Sequence, residues 1–291
     1  QKPNPLEALQ IENLFKQLER QEALMTKIQK ALGEYLANQR QAFSRFYFVG
    51  DEDLLEMIGN SNEPIKVMAH LGKMFASVNN MQWLDLKDTK KPNLLTLTHM
   101  TSKDGEVVPL STNIDIVDKV PVKVWLANVE ANMKETLASL LSSATASQPP
   151  ISSSLTSSEE KEAFVTWASS YPAQIMILSS LIQWSMGIDS ILNGSSDGVT
   201  LPDYLNTLNS KLQLMATTVL AKLDAQTRKK YEQLITELVH QTDVTRELVT
   251  SKVSSSTSFK WLYHLRFYYD PSQPDLLQKL NIKIANANFF Y

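Results

Sequence analysis

One pattern constrains this chain before any other. From Leu6 to about Ala42, the residues Ile11, Leu14, Leu18, Met25, Ile28, Leu32 and Tyr35 recur at three- and four-residue spacing, interrupted only by Gln21, with charged residues between them. That is the period of an α-helix with one apolar stripe, and it predicts a rod roughly 50 Å long. Gly33 is its only weak point. The pattern returns with Val122, Trp125, Val129, Met133, Leu137 and Leu140, and again in the apolar stretch 173–188 that Pro172 opens. Thr200-Leu201-Pro202-Asp203 starts a further run through Leu205, Leu208, Leu212, Met215, Val219 and Leu223. A last one extends from about Ala225 to Ser255 through Tyr231, Leu234, Leu238, Val249 and Val253. Amphipathic helices joined by short turns predict a mainly α chain, an elongated antiparallel bundle with the form of a rod or arch. With 43% hydrophobic residues the chain has ample material for a core. Its 8 glycines argue against all-β barrels and glycine-rich nucleotide folds.

The helical period is interrupted in places that suggest boundaries. In "RFYFVGDEDLLEMIGNS" (45–61), Phe46 to Val49 prefer an extended backbone, Gly50 turns the chain, and Asp51 reads as an N-cap. Glu52 and Asp53 then fall in the first helical turn, where the dipole favours negative charge. Gly59-Asn60 closes that helix and Pro64 opens another to about Phe75. "MQWLDL", "NLLTLTHM" and "EVVPLSTNIDI" read as short strands, separated by Lys87–Pro92 and by the better hairpin turn Ser102–Gly105. The serine-rich stretch Ser142–Ser158, with Pro149-Pro150, reads as a flexible surface loop, closed by a Ser157/Glu160 capping box. "NGSSDG" (193–198) is a turn, and the last thirty or so residues mix short strands with a short helix after Pro274. The expected organisation is a helical subdomain 1–75, a small β insert 76–121 as candidate hinge region, a helical bundle 122–257 with a disordered-looking 142–158 loop, and a C-terminal segment 258–291.

Little in the sequence points to chemistry. No GxxxxGK[ST] loop occurs, and Val67 stands where the Gly72-Lys73 pair would need a glycine. The histidines, His70, His99, His240 and His264, lack metal-site spacing, and in a chain with 0 cysteines a metal would need carboxylates converging from afar. The acids 51–56 fail the calcium-loop pattern at Leu55, and no GxSxG elbow is present. We therefore expect no catalytic, cofactor or metal residues and no enzymatic activity in this segment. Net charge is −3, which gives no basic excess for nucleic acid or an anionic membrane surface. Phe46-Tyr47-Phe48 and Phe267-Tyr268-Tyr269 suit core strands better than base stacking. The stretch 173–188 is short and polar enough to read as a buried helix, and no membrane insertion is expected. The chain starts at Gln1 with no signal peptide and stops while aromatics are still arriving, so both ends are expected to continue in a longer protein.

Two stretches carry a resemblance. "FSRFYFVGDEDLLEMIGNS" (43–61), followed by "HLGKMF" (70–75), resembles the linker signature of dynein heavy chains. "LITELVHQTDVTRELVTSKVSSSTSFKWLYHLRFYYD" (234–270) is similar to the family's stretch before the motor ring, with its FxWLxxLRFYxD ending, and "LNIKIANANFFY" (280–291) to the strand entering the first AAA+ module. "VGDEDLLEMIGN" and "TELVHQTDVTR" are closer in wording to cytoplasmic than to axonemal dyneins, whereas residues 85–210 match by position and pattern only. The resemblance implies the C-terminal part of a mechanical linker, a lever arm of a minus-end-directed microtubule motor. It implies that segment 258–291 leads to the first AAA+ module, and that ATP and Mg bind in the ring outside this chain. Implied partners are the AAA+ ring of the same heavy chain, a second heavy chain, intermediate and light chains on the tail, and microtubules through another region. The implied setting is cytoplasmic and cytoskeleton-associated.

A lever needs stiffness along its length and compliance at one place. The insert 76–121 and the 193–200 turn are the candidate joints. Arg45 and Asp53 are expected either to pair locally beside core aromatics or to meet the ring. His240, Asp243 and Arg246 share one polar face, either solvated or ring-facing. Trp261, Leu265, Arg266, Phe267 and Tyr269 are candidates for anchoring the arm to the first AAA+ module. The rival reading is a non-motor rod-like scaffold or vesicle-tethering subunit. The two part at the parent gene: the lever reading requires a phosphate loop within about 60 residues after Tyr291. Reading on through the parent transcript checks this, and a stop codon or an unrelated domain there would remove the motor assignment.

Overall fold

The computed structural model describes residues 13–61, 63–85, 95–116, 120–150, 155, 157–196, 198–275 and 278–290. The chain is mainly helical, with ten α-helices and two small three-stranded sheets among the described residues. It packs as two compact units, residues 1–97 with 114–128, and residues 98–113 with 129–291.

The first unit holds α1 (Leu14–Ala42), a 3-10 turn (Ser44–Phe48), α2 (Asp51–Gly59), α3 (Pro64–Met68), α4 (Leu71–Met74) and β1 (Val78–Asp85). The expected helix is present from Leu14; its portion 6–12, with Ile11, lies outside the described residues. Its stripe is not a core: Leu18, Met25, Ile28, Leu32 and Tyr35 are exposed, and Leu36 is the buried residue of the helix. Spacing dictated the helix and left open what covers it.

The aromatics at 46–48 correct the expected strand. In a 3-10 turn, side chains three apart share a face, so Phe46 and Val49 turn inward while Tyr47 and Phe48 are 63% and 70% exposed. Phe43 meets Phe46 edge to face at 5.0 Å. Gly50, rather than Asp51, is the N-cap of α2, so Asp51, Glu52 and Asp53 fill its first turn. The helix expected from Pro64 to Phe75 breaks at Ala69-His70 into α3 and α4, which makes His70 the residue that opens α4.

Helix α5 (Val122–Ser147), β2 (Leu95–Ser102) and β3 (Val107–Ile116) contribute residues to both units, and the first sheet has the order β1–β2–β3. The hairpin turn is as expected: Gly105 takes φ 84° and its N–H donates to the Ser102 carbonyl at 3.1 Å. Lys87–Pro92 lies outside the described residues. In β3, Val108, Leu110, Ile114 and Ile116 are buried in alternation, broken at the exposed Thr112. The serine-rich loop is partly helix, because α5 continues to Ser147. The hydroxyls of Ser143, Thr145 and Ser147 donate to the carbonyls of Ser139, Leu141 and Ser143, which satisfies them within the helix. Residues 151–154 and 156 of that stretch lie outside the described residues.

The second unit is built on α6 (Ser158–Ser170), α7 (Ala173–Leu192), α8 (Leu201–Val219) and α9 (Ala225–Thr250). Reciprocal capping boxes start α6 at Ser157/Glu160 and α8 at Thr200/Asp203. Trp167, Met176, Trp184, Tyr204, Leu208, Met215, Leu234 and Leu238 form the core. Then follow α10 (Phe259–Leu262) and the antiparallel strands β4 (Arg266–Tyr269), β5 (Leu280–Ile284) and β6 (Ala287–Phe290). The expected helix after Pro274 falls partly on 276–277, outside the described residues. A smaller core of Leu141, Ala144, Ile175, Ile182, Phe267 and Leu280 seats this sheet on α5 and α7. Helix α7 is long and apolar enough to cross a membrane by length and composition, yet half of it is buried inside the unit. Ser179, Ser180, Ser185 and Gly187 lie on its buried side, as an inner helix would place them.

The buried set also includes a lysine. Lys211 on α8 is 3% exposed, its Nζ donates to Gln183 Oε1 at 2.9 Å, and it lies 5.4 Å from the centre of the Phe164 ring. Burial lowers its pKa from 10.5 to about 8. The folded state therefore disfavours the charged form: the penalty is full below pH 8 and fades as pH rises from 8 to 10.5. Its size is about 3 kcal/mol from the shift. Lys211→Met is expected to raise the denaturant midpoint at pH 7, with the advantage over wild type shrinking by pH 10. Unfolding curves at both pH values check this.

Candidate functional site

The sequence-selected residues fall mainly in two places, each inside one unit, with Asp243 and Arg246 apart on the surface of α9. In the first unit, the segment 40–75 folds as a corner closed by side chains. Arg40, in the last turn of α1, donates to the carbonyl oxygens of Phe46 and Val49 at 3.4 and 3.0 Å and to Asp51 Oδ1 at 2.6 Å. One guanidinium thus gathers the 3-10 turn and the start of α2. Arg45 donates to the Met74 carbonyl at 3.0 Å and lies 4.6 Å from the centre of the Phe75 ring, which ties the turn to α4. A pair with Asp53, one of the two roles left open from sequence, is not among these contacts. Asp53 Oδ2 instead accepts from Lys73 Nζ at 2.7 Å, and that bond holds the carboxyl below its usual range. The break between α3 and α4 aims His70 at α2, with Nδ1 3.6 Å from Asp53 Oδ1 and Nε2 3.7 Å from Glu56 Oε2.

The second place is a joint between α7 and the end of the chain. Trp184, Ser185 and Asp189 together hold α9, α10 and β4. Trp184 Nε1 donates to Thr245 Oγ1 on α9 at 3.1 Å. Ser185 Oγ accepts the backbone N–H of Phe267 at 2.9 Å. Asp189 accepts from two aromatic donors, Trp261 Nε1 at 2.5 Å and Tyr268 Oη at 2.6 Å. Trp261 is fully buried and meets Trp184 edge to face at 5.2 Å. Burial first, and then the Asp189 carboxylate, push the Tyr268 hydroxyl well above its usual pKa, so it stays a donor. Arg266 is buried as well: it donates to Tyr268 Oη at 3.2 Å and to the Ala285 carbonyl at 2.8 Å, with Trp261 and Tyr268 ring centres 6.0 Å away.

Of the residues chosen from sequence, Trp261, Arg266, Phe267 and Tyr269 therefore meet in one joint, with Phe267 in the smaller core and Tyr269 packed against it. Leu265 is exposed. His240, Asp243 and Arg246 share the outer face of α9 as expected; Asp243 and Arg246 form an exposed ion pair of little energetic weight. The His240 ring is 6.1 Å from Trp184. Sequence reasoning missed Arg40, His70, Lys73, Asp189 and Lys211. Only Arg40, a base in a last helical turn before orphan carbonyls, carried a local signal. The joint predicts that Asp189→Ala, which strands two aromatic donors, destabilises the chain by about 2–4 kcal/mol, and Tyr268→Phe by about 1 kcal/mol. Urea unfolding of the two variants checks the order, and an unchanged midpoint for Asp189→Ala would show that the joint holds nothing.

Comparison with known proteins agrees with these motifs. A family model described as "Dynein heavy chain, N-terminal region 2" matches residues 1–144. The cytoplasmic dynein heavy chain of Dictyostelium discoideum is 43% identical over 99% of this chain. That of Drosophila melanogaster is 39% identical over 99% of it. The cytoplasmic dynein 2 heavy chain 1 of Caenorhabditis elegans is 34% identical over 88%. This chain spans only 6%, 6% and 5% of the length of those relatives. With the corner at 40–75 and the joint at 261–269 both built from the motifs that carry the likeness, the chain belongs to the dynein heavy chain family, as a segment of its N-terminal region.

Proposed function

We propose that this segment is the mechanical linker of a minus-end-directed microtubule motor, a lever arm that couples ATP-driven changes in an AAA+ ring to movement of a cargo-bearing tail. In this reading it catalyses nothing itself; ATP and Mg act in the ring of the same heavy chain. The parent works in the cytoplasm on the cytoskeleton, as a dimer with intermediate and light chains on its tail. Family membership supports a motor component. The observation that carries the lever role is the Asp189 joint. There the final strands are fastened to an inner helix by charge-assisted bonds at 2.5 and 2.6 Å and a buried tryptophan pair, so a displacement applied to the strands is handed to the bundle rather than absorbed. Stiff helical packing on the far side of such a joint suits transmission.

The test separates chemistry from coupling. In the full-length motor, Asp189→Ala and the milder Tyr268→Phe are expected to leave ATP turnover near wild type while microtubule gliding slows several-fold, more so for Asp189→Ala. Gliding at wild-type speed in both variants would remove the joint from the transmission path. An equal fall of gliding and turnover would place the fault in the ring.

A further inference from the structure

The corner in the first unit holds a group of side chains that the lever reading does not use. Asp53 and Glu56 lie one turn apart on α2, and His70 reaches them from the break between α3 and α4. One ligand atom from each lies within 4.8 Å of the other two. His70 is 12% exposed at its side chain, and its Nδ1 is closed to solvent and has no hydrogen-bond partner. A buried imidazole nitrogen left without a hydrogen bond costs free energy comparable to a lost bond. Here it faces a carboxylate oxygen at 3.6 Å, beyond hydrogen-bond reach.

From this arrangement we propose that Asp53, Glu56 and His70 form a site for a divalent transition-metal ion of the zinc type. One nitrogen and two carboxylate oxygens make a donor set that suits zinc. Calcium and magnesium ask for a shell of oxygens instead. Ligands of a tetrahedral zinc ion at about 2.0–2.1 Å stand roughly 3.3 Å apart. Glu56 Oε2 stands 3.7 Å from Nε2, on the other edge of the ring; its side chain is 60% exposed, and it would turn toward Nδ1 to join Asp53 around the ion. Asp53 is already oriented for the role: Lys73 holds its Oδ2 at 2.7 Å and leaves Oδ1 toward the histidine, the kind of outer partner that ligating carboxylates keep. Two carboxylates and one ammonium sum to a single negative charge beside a neutral imidazole, so a dication is attracted. Water completes the fourth position. The ion would staple α2 to the α3–α4 break, at the corner Arg40 and Arg45 already close.

Zinc titration of the whole 291-residue chain by calorimetry, with cobalt absorption spectra as a second readout, tests the site. Wild type and His99→Gln, which removes a histidine on β2, are expected to bind one ion with equal affinity. Glu56→Gln and His70→Gln are expected to bind at least about tenfold more weakly and to lose the cobalt d–d bands. Circular dichroism confirms that the variants are folded; Glu56→Gln changes an exposed residue and keeps the test valid even if His70→Gln unfolds. No binding by wild type, or undiminished binding by Glu56→Gln, would overturn the site. The cluster would then be a polar group held by the Lys73–Asp53 ion pair alone.

Discussion

The carboxylate of Asp189 is the interaction on which the second unit depends. A charged oxygen pair on an inner helix is expensive unless each oxygen finds a donor. Here both do, and both donors are aromatic: Trp261 from α10 and Tyr268 from β4. Because those donors are bulky, Trp261 buried and Tyr268 half-buried, satisfying the carboxylate also fixes where the final strands sit. Arg266 closes the arrangement from the far side, reaching Tyr268 and the β5–β6 turn at Ala285. The helix that carries Asp189 meets α9 through Trp184 one turn earlier. Three elements distant in sequence are thus indexed to one stretch of α7.

The first unit solves a different problem with the same means. A long helix ends at Ala42, and the chain must change direction within a few residues. A 3-10 turn does so while keeping Phe46 and Val49 inward, and Arg40 donates both to the Phe46 carbonyl, which also accepts the Val49 N–H, and to the Val49 carbonyl that follows. Arg45 then secures the turn to the end of α4. Exposed on the outside are Tyr47 and Phe48, while the polar cluster of Asp53, Glu56, His70 and Lys73 lies between α2 and the following short helices. Lys211 in the second unit shows that not every buried polar group is so well served, since its one hydrogen bond is to a neutral amide.

What the sequence by itself determined is local. Three–four spacing specified the helices, Thr200/Asp203 and Ser157/Glu160 specified where two of them begin, and Asp104-Gly105 specified the hairpin, because each depends on residues within a turn of one another. The motifs at 43–61 and 234–270 identified the family for the same reason, as contiguous strings. Tertiary structure alone decided the partners. It left the stripe of α1 exposed, and it turned Phe46-Tyr47-Phe48 from a strand into a 3-10 corner. It brought His70 to Asp53 and Glu56, and Asp189 to residues more than seventy positions away. Hydrogen bonds and burial between distant segments depend on how helices pack, and periodicity in one segment holds no record of which face of another it will meet.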